Sequence, residues 1–235
     1  MHSIHNMTSG KPGRLIFSFA LPLMVGNLFQ QLYTVADAMI VGQVLGVDGI
    51  AAVGATEWMI WLMLGIIQGF SQGFSIWMAQ AFGADRLKQL RNIILNAVIL
   101  SAVIAALMLA CGQLAAAPVL HILNTPNDVF QAAAVYMRTM FIGIPITMAY
   151  NLLAAVLRSL GDGKTPLYAM VFAAILNVAL DLLFVAGFGA GVAGAAAATV
   201  IAQFFSGVFC LVRIGKIDFL RIQKGDFSAS LPTYT

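Results

Sequence analysis

Residues 21–46, LPLMVGNLFQQLYTVADAMIVGQVLG, are apolar enough to cross a membrane and yet hold a carboxylate, Asp37. Near the middle of a bilayer an acidic side chain costs roughly 2.5–3.5 kcal/mol, so a span that keeps one turns it toward protein or a water-filled cavity. Residues 173–187, AAILNVALDLLFVAG, repeat the pattern with Asp181. Two such carboxylates mark a place where an ion, a proton or a substrate is handled.

Around these two stretches the chain has the composition of a membrane protein. Of its 235 residues 61% are hydrophobic and 9% charged, and the mean hydropathy is +0.93. That is more apolar surface than a soluble domain of this length hides in a core. Six apolar segments, approximately 15–44, 50–82, 93–120, 129–157, 167–185 and 192–214, lie between charged or Gly/Pro-marked breaks. Each meets or approaches the ~20 residues needed to cross a hydrocarbon core of about 30 Å, and helices satisfy their own backbone there. The expected fold is an all-α integral membrane protein, a six-transmembrane-helix bundle over residues 14–214. A cytoplasmic N-terminal segment (1–13) would precede it and a linker-like cytoplasmic tail (215–235) would follow.

Basic residues orient the bundle, because Lys and Arg are retained in short cytoplasmic loops. Lys11 and Arg14 precede the first segment, Arg86, Lys88 and Arg91 follow the second, Arg158 and Lys164 follow the fourth, and Arg213, Lys216, Arg221 and Lys224 follow the sixth. Only Arg138 falls on the other side, so both termini are expected in the cytoplasm and the location is the inner (plasma) membrane. The net charge of +3 thus reports topology in a lipid bilayer and not a nucleic-acid partner. Lys11 and Arg14 before an apolar run imitate a secretory signal, but Pro22, Asn27, Gln30 and Gln31 interrupt that run and no small-residue cleavage site follows, which favours a retained helix. Cys111 and Cys210 lie inside apolar segments and read as packing residues.

Polar residues fall in stripes. Asn27, Gln30, Thr34 and Asp37 are spaced three, four and three apart and share a helix face. Interhelical hydrogen bonding explains Asn27 and Thr34 equally well, but it needs no charge. Asn177 and Asp181 sit one turn apart, and an amide oxygen beside a carboxylate offers hard ligands to Na⁺, while two nearby carboxylates favour proton uptake. Thr199, Gln203 and Ser206 form a weaker stripe, since a membrane-embedded Thr often bonds a carbonyl of its own preceding turn. Glu57, Gln68, Gln72 and Ser75 make another, with Glu57 near the outer end. From these faces Asn27, Gln30, Tyr33, Thr34, Gln68 and Gln203 are candidates for lining a substrate cavity. Pro22 and Pro145 each delete a helical donor; Pro145 reads as a static kink and Pro22 as a hinge ahead of the Asp37 stripe.

Two motif matches carry no chemistry. Residues 69–73 fit G-x-S-x-G, but inside a membrane span, without the strand-to-helix turn or a partnered His that a nucleophile needs. Residues 189–194 fit G-x-G-x-x-G without the acidic residue about 20 positions on; a tight external turn followed by close packing of the last helix is the better reading. No nucleophile with a base and no metal cluster can be assembled, so an enzyme is not expected.

The chain resembles the N-terminal half of a multidrug and toxic compound extrusion (MATE) transporter from about Gly13 to Ile214. The resemblance rests on the order and spacing of residues 21–46, QAFGADR (80–86), LRSLGDGKTP (157–166), ILNVALD (175–181) and GAGVAGAAAATVIAQ (189–203). It implies a cavity in the N-terminal lobe holding Na⁺ or H⁺ through Asp37, Asn177, Asp181 and Thr199, with bending at Pro22 and no other cofactor. It also implies antiport of small organic, often cationic, drugs and toxic compounds. Family members have twelve helices in two lobes, so the resemblance implies a second six-helix lobe, in the full-length chain or supplied in trans, against which this one rocks. The alternatives from other classes are a truncated, non-transporting membrane scaffold, and a lipid-carrier flippase or channel formed by self-association.

Overall fold

The computed structural model describes residues 12–220, and every regular element among them is helical. The elements are α1 (Pro12–Gly83), α2 (Leu87–Ile122), α3 (Asn127–Ile142), α4 (Ile144–Ser159), α5 (Lys164–Asp181) and α6 (Gly191–Ile214). A π-helical turn, Leu182–Gly187, continues α5. The expected N-terminal segment up to residue 11, the tail from residue 221, and the side chain of the hinge candidate Pro22 lie outside the described residues.

Helix α1 runs for 72 residues, which at 1.5 Å per residue would be about 108 Å if straight, far more than one bilayer core. It is instead a hairpin that reverses at Gly46, whose φ of 69° and ψ of −157° are accessible almost only to glycine. In a straight helix residues 41 and 49 would be about 12 Å apart. Here a Cβ placed on Gly49 would lie 3.3 Å from the Val41 side chain, and one on Gly42 would lie 2.6 Å from Ile50. The arms 12–45 and 47–83 are therefore two spans joined by a single residue.

The fourth expected segment, 129–157, is not one helix. It breaks at Gly143 into α3 and α4, bent by 46°. Pro145 is the physical reason: its ring excludes an intrahelical bond to the carbonyl of Phe141, so the chain restarts at Ile144 and Pro145 falls in the first turn, where no donor is needed. Thr147 ties the break down, its backbone N–H donating to the Gly143 carbonyl at 2.9 Å. Counting the two arms of α1, the α3/α4 pair, α2, α5 and α6, the described residues make six passes.

Packing follows what lipid permits. Large apolar side chains such as Trp58, Leu114 and Phe188 face outward, while Ala52, Ala116, Ala133, Ala195 and Ala196 are fully buried where helices meet. Small residues let backbones approach where no hydrophobic effect drives association. A Cβ on Gly112 would meet the Phe141 ring at 2.7 Å, so α2 and α3 touch through that glycine. Gly189 (φ 64°) and Gly191 (φ 61°) make the external turn before α6.

The interior divides into two apolar clusters. One gathers Val41, Ile67, Phe141, Ile144 and Val185; the other gathers Met78, Leu90, Leu157, Leu160 and Cys210. At the second cluster's end Asp162 is buried, accepting from the Thr165 N–H (3.0 Å), the Thr165 hydroxyl (2.7 Å) and Arg213 Nε (3.3 Å). This stitches the α4–α5 loop to the end of α6.

Candidate functional site

Between the clusters lies a cavity of about 170 Å³. From the first arm of α1, Asn27, Gln30 and Tyr33 reach it; from the second arm, Gln68, Ser71 and Gln72; from α5, Asn177; from α6, Thr199, Gln203 and Ser206. Helical periodicity explains the selection, since Asn27, Gln30 and Tyr33, like Gln68 and Gln72, recur at three or four residues and share a face. Of the cavity candidates Thr34 stands apart. It is exposed, and its hydroxyl donates to the Gln30 carbonyl at 3.0 Å on its own helix. The 100° step from Tyr33 to Thr34 turns it out of the cavity.

One turn beyond Asn177, and not themselves among the residues lining this cavity, Asp37 of α1 and Asp181 of α5 come within side-chain hydrogen-bonding reach of each other. Asp181 is fully buried at the last α-helical residue of α5, where the π-helical turn begins. Such local widening of a helix recurs at functional sites. Asn177, one turn earlier, donates its Nδ2 to the Thr199 hydroxyl oxygen at 3.3 Å. That leaves Asn177 Oδ1 without a donor, as are Asp37 Oδ1 and both carboxylate oxygens of Asp181. Four buried acceptors with no donor, two of them on one carboxylate, are costly unless something positive joins them.

The arrangement presents lone pairs and no donor. Two carboxylates can offer each other only lone pairs, so a proton or a metal ion must supply the bond between them. Among the described residues no group of three or more His, Cys, Asp or Glu side chains gathers, which removes the donor sets typical of zinc and other transition metals. Carboxylate, amide and hydroxyl oxygens suit a hard ion or a proton.

Sequence reasoning passed over several residues here. Tyr136 of α3 is buried and lies in the electrostatic field of Asp37, Asp181 and Tyr33, closing the carboxylate end from a third direction. No polar residue stands three or four positions before it on its helix face, so no spacing singles it out. Thr147, Asn151 and Arg158 line the cavity from α4. Their spacing of four and seven residues is a helical stripe like the others, so the signal was present. The Thr147 hydroxyl is hydrogen-bonded to the Gln203 side-chain oxygen, which joins the α4 stripe to that of α6. Ser206 is spent on packing, donating to the Ala169 carbonyl at 2.9 Å. Glu57 is exposed, and Ser75 reaches the Ala155 carbonyl at 3.5 Å.

Comparison with known proteins gives a consistent result. A family model described as MatE matches residues 22–183. A probable multidrug resistance protein of Bacillus subtilis, YpnP, is 30% identical over 230 residues, which are 96% of this chain and 52% of that protein. An FAD transporter of Shewanella oneidensis is 26% identical over 221 residues, 91% of this chain and 49% of its own length. Among solved structures, an outward-facing multidrug resistance MATE family transporter superposes with a TM-score of 0.90 at 26% identity, over 98% of this chain and 51% of that one. The chain thus spans about half the length of the relatives it matches.

Proposed function

Because the chain belongs to the MatE family, we propose that it is the N-terminal lobe of a cation-coupled exporter of drugs and other organic compounds, working with a second six-helix lobe. The observation that carries this reading is the set of four donorless buried oxygens on Asp37, Asn177 and Asp181 beside a polar cavity. In this reading Asp37 and Asp181 hold Na⁺ or H⁺, Asn177 and Thr199 complete the shell, and Tyr136 screens the site. A bound ion shifts a conformational equilibrium only through its different affinity for the two shapes. Here the two carboxylates come from α1 and α5, so loading or emptying the site changes the repulsion between those helices and hence the shape of the cavity they line. The lobe lies in the plasma membrane with both termini cytoplasmic, and it moves against its counterpart to expose the cavity to either side.

Export tests this directly. The chain is reconstituted in vesicles together with a second lobe, and drug efflux is followed under an imposed Na⁺ or H⁺ gradient. Asp37→Asn and Asp181→Asn should each abolish coupled efflux while inserting normally, because an amide is less costly to bury than a carboxylate. Asn177→Ala and Thr199→Ala should weaken ion dependence only in part, each removing one neutral ligand. Full coupled efflux by both aspartate variants would overturn the reading.

A further inference from the structure

We propose that Arg158 recognises an acidic group, a carboxylate or phosphate, on the exported compound, so that the cavity takes zwitterionic or anionic organic molecules in preference to simple cations. The inference rests on the cavity being the substrate site. Arg158 counts by position among the cytoplasmic topology charges, yet it occupies the last turn of α4 and its side chain lines the cavity. Side chains on a helix tilt toward its N-terminus, which carries the guanidinium up into the cavity and away from the cytoplasmic surface.

Within the cavity its charge is unmatched. Among the described residues Arg158 is the single charged residue in a lining otherwise made of side-chain amides, hydroxyls and apolar groups. Its Nε is buried with no hydrogen-bond partner. The carboxylate nearest in sequence, Asp162, is already engaged by Thr165 and by Arg213. A half-buried guanidinium with its Nε sealed off and no acidic partner among the described residues is unfavourable, and its planar fork matches a carboxylate or phosphate through paired hydrogen bonds.

The aspartate pair does not neutralise it. Thr147 and Arg158 are eleven residues apart on α4, about 16 Å along the axis. Thr147 meets Gln203, while the aspartate pair lies beyond Asn177 and Thr199, a further turn or more away from Arg158. The two charged ends are therefore still on the order of 15 Å apart after the reach of the arginine side chain is taken off the axial rise. Once the aspartates hold their ion, the remaining field in the cavity is that of Arg158. An acid-bearing molecule seats its anionic group there and its apolar body against Met170 and Leu64.

The test uses the full 235-residue chain in phosphatidylcholine nanodiscs and two dyes, a zwitterionic rhodamine with a free carboxyl and its methyl ester. Binding is read by fluorescence polarisation. The wild type should bind the acid at least about tenfold more tightly than the ester, as expected for a hydrogen bond to a charged group. Arg158→Gln should lose that preference while keeping ester affinity, which also shows that it is folded, and Arg158→Lys should keep part of it. Equal affinities for the two dyes in the wild type, or an unchanged acid preference in Arg158→Gln, would overturn the proposal and leave the exporter reading standing. Failure of the wild type to bind either dye would overturn this proposal, whereas the exporter reading stands or falls on efflux with the second lobe present. Repeating the titration with phosphatidylglycerol distinguishes the source of the anion. Retained acid binding supports a substrate group, whereas loss of acid binding assigns Arg158 to a lipid headgroup and overturns the substrate assignment.

Discussion

Replacing Asp181 by Asn isolates the ion site, because the amide keeps the side-chain shape and removes one charge. The carboxylate is fully buried, faces Asp37, and has no donor on either oxygen. For a cation held at about 4 Å in surroundings of effective dielectric about 20, one carboxylate contributes roughly 4 kcal/mol, or about three decades of affinity. At an ion concentration 100 times Kd, binding stabilises the wild type by about 2.7 kcal/mol, roughly 5–10 °C in Tm for a chain of this size. The same concentration is about a tenth of the variant's Kd, and its gain falls to about 0.1 kcal/mol or less. Thermal unfolding of the detergent-solubilised chain is the assay. Na⁺ is exchanged for choline at constant ionic strength, and a second series lowers the pH without Na⁺. One of the two series should shift the wild type and leave Asp181→Asn flat. In Na⁺-free buffer at a pH high enough to remove any shared proton, the variant should be at least as stable as the wild type, since a like-charge contact has been removed. A variant that keeps half or more of the ion-dependent shift, or that is less stable without the ion, would refute the reasoning.

Other consequences are structural. Gly46→Ala places a Cβ on a backbone with φ 69° and ψ −157°, so it should destabilise the α1 hairpin by about 1–3 kcal/mol, seen as a lower melting temperature. Gly112→Leu drives a side chain into the Phe141 ring, where even a Cβ comes to 2.7 Å; a loss of about 1–3 kcal/mol is expected, and Gly69→Leu, with nothing within 4 Å of its Cβ, should cost less in the same melt. Lys88, Lys164 and Lys216 are exposed at the ends of α2, α5 and α6. Cysteines at those positions should resist a membrane-impermeant thiol reagent in intact cells and react after lysis; ready labelling of intact cells would invert the orientation.

What the sequence determined by itself is the part that depends only on composition along the chain. Hydrophobicity in windows of about 20 residues marks the passes, because each span must satisfy its solvent alone. The cost of a carboxylate in lipid singles out Asp37 and Asp181 for the same reason, and the spacing of Asn177 to Asp181 is a property of one helix. Tertiary structure decided everything that depends on a neighbour. Tyr33 and Thr34 are adjacent and both polar, yet one lines the cavity and the other is exposed, because the position of α5 and α6 selects which side of α1 faces inward. Arg158 reads as a loop charge until α4 is seen to extend to Ser159 with that side chain on its cavity face. The break at Gly143 is local to Pro145, but the meeting of Thr147, just after the 46° bend, with Gln203 of α6 is not. Asn177 meets Thr199 from 22 residues away, and Thr147 meets Gln203 from 56. Periodicity reports the direction of a side chain about its own helix axis; which helix stands opposite, and so which acceptors are left without a donor, is a long-range fact that packing alone supplies.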